Sequence, residues 1–337
     1  MHNTTKLEAD LRHEIQILVF EGCIGSSVLG PADMFSVANS LLAHQGRETQ
    51  FKVKLLSLED VLEVRTGTGH VIVCDGQFSA AEPKKSTLVL PGLDIKSAYE
   101  IERRAGNMSK ALIGLRQWYA AGSMITANCT ATFLLAATGL LDGKQATTSW
   151  WLEEAFRRNF PRVELATEEI LVEDTNLITT AAGTSYIDLA LDLIGKMEGP
   201  KLASLCAHFM VVDGGRSSQR PYTVPWHFMK RDPLVEKADE WIRARISENI
   251  RISDLAKELG LENRTLNRRF KKTTGLTPQA YVKNARIDKA KLLLETTSET
   301  VGAIGASVGY QDENAFRRAF LTSVELTPAF YRKQFKR

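Results

Sequence analysis

Short, nearly continuous apolar runs recur through the first part of the chain. They are Ile15 to Phe20, Phe51 to Leu58, Val71 to Cys74, Thr87 to Leu90 (closed by Pro91-Gly92) and Met124 to Asn128, with Ile170 to Glu173 and Leu177 to Thr180 further on. Stretches of helical period lie between them, one running from about Tyr186 to Met197. Strands that are apolar on both faces and spaced by helices predict a parallel sheet covered on both sides, an open α/β sandwich.

The pattern changes after Asp213. The run DGGRSSQRPYTVPWHFMKRDP concentrates Gly, Ser, Pro and basic residues without an apolar period, which marks residues 213–232 as a linker. From Leu234 onward the helical segments are short and separated by turns, which predicts an all-α second domain over 233–337. Within it the chain repeats at an offset of fifty residues: Phe270 matches Phe320, Arg268 matches Arg318, Leu276 matches Leu326, and Thr277, Pro278 and Tyr281 match Thr327, Pro328 and Tyr331. Each copy reads as a helix, a turn and a second helix.

In the first copy Ile252-Ser253-Asp254 starts a helix to Leu259, with Ser253 the expected N-cap and Gly260 allowing a sharp turn. The helix that follows, about Asn263 to Thr273, turns Leu266 and Phe270 inward and leaves Arg264, Asn267, Arg268, Lys271 and Lys272 outside. In the second copy Thr300 is the expected cap, Ile304 and Val308 lead to Gly309, and a helix of about Glu313 to Leu321 buries Phe316 and Phe320. Glu313, Asn314, Arg317 and Arg318 are left facing outward. One such hairpin with a solvated basic face is unremarkable, but two in tandem favour the reading of base edges and phosphates in a major groove.

Charge points the same way. The whole chain carries a net +3, yet residues 230–337 hold 22 Lys and Arg against 14 Asp and Glu, leaving 21 against 26 in the rest. A basic piece on an acidic body suits a polyanionic partner, double-stranded DNA. The longest apolar stretch, Ala131 to Leu141, is too short and too interrupted to cross a bilayer, so no membrane partner is expected. Lys6, Glu8, Asp10, Arg12 and Glu14 precede any apolar run and lack the order of a secretory signal, which predicts a cytoplasmic protein. Cys23, Cys74, Cys129 and Cys206 are far apart without a CxxC pair, so no metal, no other cofactor and no disulfide framework is expected.

Residues of about 233 to 337 resemble the AraC/XylS family of regulators. The likeness rests on ISDLAKELG, LNRRFKKTTGLTPQAYV, VGYQDENAFRRAF and LTPAFYRKQF. That family usually has a Gly before the second Thr-Pro, whereas Val324-Glu325 stand there, so a less regular final turn is expected. About residues 14 to 200 resemble the ThiJ/PfpI, or class I glutamine amidotransferase-like, domain of GlxA-type regulators. Here the likeness rests on LGPADMFSVAN, LVLPGL, ANCTATFLLAATGLLDGKQATTSW and AAGTSYIDLALDLI. The resemblance implies a flavodoxin-like sandwich over 14–212 that dimerises and senses a small metabolite, with RNA polymerase as a further partner.

Cys129 follows a strand, precedes a helix and has Ala127 and Ala131 nearby, the sequence shape of a nucleophile elbow. A nucleophile needs a base. In hydrolytic relatives an acidic residue stands where Ser27 falls and a His partners the cysteine, and GlxA-type sequences commonly read ATTHW where this chain has Ala146-Thr147-Thr148-Ser149-Trp150. Three roles stay open for Cys129: packing, a thiol hydrolase or amidase with His70 or His208 as the base, and a ligand-sensing crevice lined by Ser26, Ser27, Gly92 and Cys129. The expectation is a sequence-specific DNA-binding regulator, an activator rather than an enzyme, with the thiol hydrolase as the alternative.

Overall fold

The computed structural model describes residues 13–48, 50–95, 100–101, 103–104, 108–223 and 232–336. Lys6, Glu8, Asp10 and Arg12 lie outside them, as do residues 224–231 of the expected linker. The chain divides into two compact units, Met1–Gln219 and Arg220–Arg337.

The first unit is built around β1 (His13–Val19), whose Ile15, Ile17, Leu18 and Val19 are fully buried. A strand hidden on both faces must be apolar at successive positions, which is why its sequence shows no alternation. It runs parallel to β2 (Phe51–Ser57), with Ile15 beside Val53 and Ile17 beside Leu55. The antiparallel pair β3 (Glu63–Arg65) and β4 (Val71–Val73) follows, and then the short β5 (Gly76–Gln77) extends the sheet beyond β2. On the other side of β1 come β6 (Thr87–Leu90) and β7 (Met124–Asn128). A second short pair, β8 (Gln145–Ala146) and β9 (Glu164–Leu165), stands apart, and β10 (Leu171–Asp174) with β11 (Leu177–Thr180) completes the main sheet. Its order is β10-β11-β7-β6-β1-β2-β5, parallel except between β10 and β11.

One expectation changes. Val71–Val73 does not join the parallel sheet: only Ile72 is buried, while Val71 and Val73 are 48% and 69% exposed. A short apolar run cannot reveal whether one face or both are covered. Next to the β3–β4 pair the Asp75 carboxylate accepts the Leu55 N–H at 2.8 Å while Gly76 pairs beside Leu56 on the sheet edge.

The helices of this unit are α1 (Gly25–His44), α2 (Ser109–Ala120), α3 (Thr132–Ala137), α4 (Glu153–Asn159), α5 (Tyr186–Glu198) and α6 (Pro200–Phe209). From β1 the sheet grows outward to β2 on one side and to β6 on the other. Such a switch point leaves a crevice at the C-terminal strand ends. The loops meeting there are tied together: Ile24 N–H donates to the Gly92 carbonyl at 2.7 Å, and Cys23 bridges Leu93.

The expected linker does not start at residue 213. Ile170 N–H donates to Ser217 O at 3.0 Å and Gln219 N–H to Glu168 O at 2.8 Å, and the buried Gln219 amide donates to the carbonyls of Thr148 and Thr167. Backbone polar groups satisfied this way make residues 213–219 part of the first unit.

The second unit contains α7 (Pro233–Ala244), α8 (Ile252–Glu258), α9 (Asn263–Thr274), α10 (Pro278–Thr296), α11 (Val301–Ser307), α12 (Glu313–Val324) and α13 (Pro328–Phe335). It has two apolar cores that share one helix. Val235, Ile242, Leu255, Leu266 and Phe270 pack with Tyr281, Val282 and Ala285 of α10. Ile304, Phe316, Phe320, Val324 and Tyr331 pack with Ile287, Ala290 and Leu294 further along it. The expected caps divide: the Thr300 hydroxyl accepts the Ala303 N–H at 3.1 Å, but α8 begins at Ile252 with Ser253 already inside it and no side-chain cap. The extended residue there is Arg251, whose own carbonyl accepts the first turn's N–H groups.

Candidate DNA-binding face and the cysteine elbow

At the end of β7 the chain turns from strand to helix at Cys129, which has φ +60°. Left-handed backbone is uncommon outside glycine, and this is the geometry of a nucleophile elbow. A Cβ on Gly92 would stand 3.3 Å from the Cβ of Cys129 and 3.1 Å from Ile24 Cδ1, so glycine allows the β6 loop to approach this closely. Thr130 fastens that loop by accepting the Leu93 N–H at 2.6 Å. The Asn128 amide donates to Ser27 Oγ at 3.1 Å and accepts the Thr180 hydroxyl at 2.7 Å.

The Cys129 sulfur lies 2.9 Å from Ser149 Oγ, and the Thr148 hydroxyl donates to the Cys129 carbonyl at 3.0 Å. Cys129 is 2% exposed and Ser149 fully buried. A neutral hydroxyl shares a hydrogen bond with a thiol but is no general base for it. Ser27, in the position expected for the acid, offers a second hydroxyl. His70 Nδ1 lies 3.0 Å from Thr68 Oγ1, and His208 contacts Ser204 O at 2.7 Å from an exposed position on α6; neither is a hydrogen-bond partner of Cys129. Of the predicted crevice residues, Ser27, Gly92 and Cys129 are buried together, whereas Ser26 is exposed on the outer side of α1.

This unit also has a groove of ligand size. It measures about 600 Å³ and runs between α5, α6 and residues 212–216, walled by Leu171, Leu191, Ala207 and Val212, with Asp188 and Arg216 at its polar end. Arg216 is ion-paired with Asp188, whose carboxyl is pushed up from its ordinary value because burial outweighs the hydrogen bond and charge of Arg216.

In the second unit the repeat seen in the sequence is a repeat in space. Phe270 meets Tyr281 edge-on at 5.4 Å, and Phe320 meets Tyr331 edge-on at 5.5 Å. The Tyr281 hydroxyl donates to Asp239 at 2.8 Å and that of Tyr331 to Glu295 at 2.5 Å. Thr277 caps α10 through Ala280 N–H, and Thr327 caps α13 through Phe330 N–H. The final turn is as regular as the first. Glu325 takes φ +64° where Gly275 has +70°, which corrects the expectation of an irregular turn.

Each cassette presents a helix whose inner face is aromatic and aliphatic and whose outer face is polar. Leu266, Phe270, Phe316 and Phe320 are fully buried, while Arg264, Asn267, Arg268, Lys271 and Lys272 of α9 and Glu313, Asn314, Arg317 and Arg318 of α12 are exposed. The two outer faces differ. Arg269 of α9 is held by Asp232 at 3.1 Å, and Arg317 of α12 is held by Glu313 at 2.6 Å, one turn before it. Among the described residues Arg264, Arg268 and Arg318 make no such pair, so their guanidinium groups are available to an incoming anion.

Residues 13–196 match the DJ-1/PfpI family model. The chain belongs to the DJ-1/PfpI family. Residues 255–334 match a helix-turn-helix domain model. The chain is similar to the HTH-type transcriptional regulator GbdR of Pseudomonas aeruginosa, 27% identical over 305 residues, covering 88% of this chain and 80% of the relative. It is also similar to the HTH-type transcriptional regulator CdhR of the same species, 30% identical over 203 residues, covering 59% of this chain and 60% of the relative. Among solved structures, a ThiJ/PfpI family protein from Pseudomonas syringae shares the fold with a TM-score of 0.50 and 22% identity, over 64% of this chain and 83% of that one.

The DJ-1/PfpI unit therefore joins an AraC-type helix-turn-helix unit in a DNA-binding transcription regulator. Some contacts of the two sites escaped the sequence reading. Asp312 caps α12 by accepting the Ala315 N–H at 2.7 Å, and its place directly before Glu313 was a readable signal. The Arg317–Glu313 pair was legible from i, i+4 spacing. Nothing in sequence marked Arg286, whose partners lie 23 and 38 residues away.

Proposed function

We propose that each chain reads two short DNA subsites at once, with α9 and α12 in successive major grooves on one face of the duplex. The observation that carries this is the duplicated geometry: two helices with equivalent buried anchors, each with exposed arginine at the matching positions Arg268 and Arg318. Successive major grooves lie one helical turn apart, about 10 base pairs. Arg268 and Arg318 would each bond guanine, while Lys271 and Lys272 would meet phosphate. Footprinting with base-by-base substitution tests the reading. Two protected subsites about one turn apart support it, and a single contiguous site refutes it.

The DJ-1/PfpI unit acts in this reading as an assembly and sensing unit rather than a hydrolase. The hydroxyls of Ser27 and Ser149, standing where an acid and a base would be needed, support that role. It pairs two chains in a homodimer and takes a small-molecule effector. The resulting regulator works in the cytoplasm with RNA polymerase as partner and activation as the outcome that the AraC/XylS resemblance implies. The left-handed backbone kept at Cys129 favours the elbow of Ser27, Gly92 and Cys129 as the effector site, since such strain clusters at functional positions. The volume of the groove beside Asp188 and Arg216 favours that groove as a second location. Cys129→Trp and Leu191→Trp separate the two, because each fills one location only.

A further inference from the structure

Arg286 stands on α10 between Ala285, the last residue that helix gives to the first core, and Ile287, the first it gives to the second. Its side chain reaches both cassettes. Nη2 donates to the Glu248 carbonyl at 2.6 Å, in the loop that joins α7 to α8, and Nη1 donates to the Gly309 carbonyl at 3.1 Å, in the turn between α11 and α12. The guanidinium also lies over the Tyr310 ring at 5.7 Å.

The turn it holds is pressed against the first cassette. Gly309 has φ +89°, and a Cβ there would fall 2.7 Å from the Ile246 carbonyl oxygen and 2.7 Å from Nη2 of Arg286. Backbone thus meets backbone with room for hydrogen alone. A shared helix sets the distance between two cassettes along its axis but leaves each a degree of roll about it. A contact that opposes such roll is this one, a single guanidinium bridging carbonyls of both cassettes beside a glycine that admits no side chain. Planar, forked donors suit Arg to such a bridge, and Lys offers no equivalent.

We propose that Arg286 is the positioning residue that fixes the spacing and phase at which the two recognition helices meet DNA. The proposal rests on the reading that α9 and α12 both enter grooves. Each base pair inserted between the subsites moves the second by about 3.4 Å and turns it by about 35°. A pair of helices locked by Arg286 cannot follow that shift, and an unlocked pair can.

The test uses the full chain and the bipartite site selected from a random DNA pool by the wild-type protein. Affinity is measured on that site, on versions with one base pair added or removed between subsites, and on each subsite alone. Wild type should lose at least tenfold on the shifted sites. Arg286→Met should bind the native spacing at least tenfold more weakly, discriminate the shifted sites by less than threefold, and bind single subsites within twofold of wild type. Gly309→Ala, which wedges the same contact from the other side, should behave alike, and circular dichroism verifies that both are folded. Wild-type spacing preference in both variants overturns the proposal. So does an equal loss on single and bipartite sites, which would make Arg286 a phosphate contact or a general fold element. If wild type selects no bipartite site, the two-groove reading itself fails, an outcome distinct from a failed lock.

Discussion

Glu325 holds the left-handed backbone, φ +64°, that Gly275 holds at +70° one repeat earlier. The same turn is made twice, once by a residue without a Cβ and once against its preference. Glu325 gains an ion pair with Arg220 at 3.0 Å, but both side chains are well exposed.

Glu325→Gly should therefore leave the second unit equally stable or more so. Releasing a left-handed non-glycine residue gains roughly 1 kcal/mol, and an exposed ion pair contributes about 0 to 1 kcal/mol. Gly275→Glu, with no ion pair in return, should cost about 1 kcal/mol. Urea unfolding of the full chain, followed through its C-terminal transition, measures both. A loss above about 1 kcal/mol for Glu325→Gly would contradict this account of the turn.

Arg268→Ala and Arg318→Ala should each relax base preference within a different subsite, at about 1 to 3 kcal/mol of lost discrimination. Arg317→Ala should do less than Arg318→Ala, because Glu313 already engages Arg317. Lys271→Ala should weaken all sequences alike and flatten the salt dependence. Binding to single-base variants of the site across a salt series separates these effects, and one shared set of altered base pairs for Arg268→Ala and Arg318→Ala would defeat the assignment.

Wild type and Cys129→Ala should release ammonia from glutamine, and acid from activated esters, at the same background rate. Ser149 and Ser27 supply hydroxyls where a base and an acid would be needed. A rate lost in Cys129→Ala and kept in Cys206→Ala would restore the hydrolytic alternative.

Lys291 is buried, and burial lowers its pKa from 10.5 to about 8 against the opposing pull of Asp288 and Glu295. Its ammonium donates to the Thr223 carbonyl and lies 5.7 Å from the Tyr331 ring. Below pH 8 the folded chain carries a proton at a cost, and between about 8 and 10.5 it releases that proton while the unfolded chain retains it. Wild type should therefore gain stability relative to Lys291→Met as pH rises through this window, by up to about 3 kcal/mol. Chemical denaturation of both proteins at pH 7, 8.5 and 9.5 measures the trend. A constant difference would mean that Lys291 titrates normally.

The sequence alone determined the two-unit organisation and which faces of α9 and α12 are buried. These rest on local signals: doubly apolar strands, a fifty-residue repeat, and Leu266, Phe270, Phe316 and Phe320 at helical spacing. Burial follows period, so the exposed faces of α9 and α12 could be named residue by residue. The strand–turn–helix shape around Cys129 was legible for the same reason.

Only the tertiary structure decided which of these residues are already occupied and what holds them in place. That Val71–Val73 leaves the main sheet, that residues 213–219 belong to the first unit, that Glu325 can imitate a glycine, and that Arg286 ties Glu248 to Gly309 all depend on groups far apart in the chain. A periodic pattern records which face of an element is buried. It does not record the partner that buries it, because that partner is chosen by packing the whole unit.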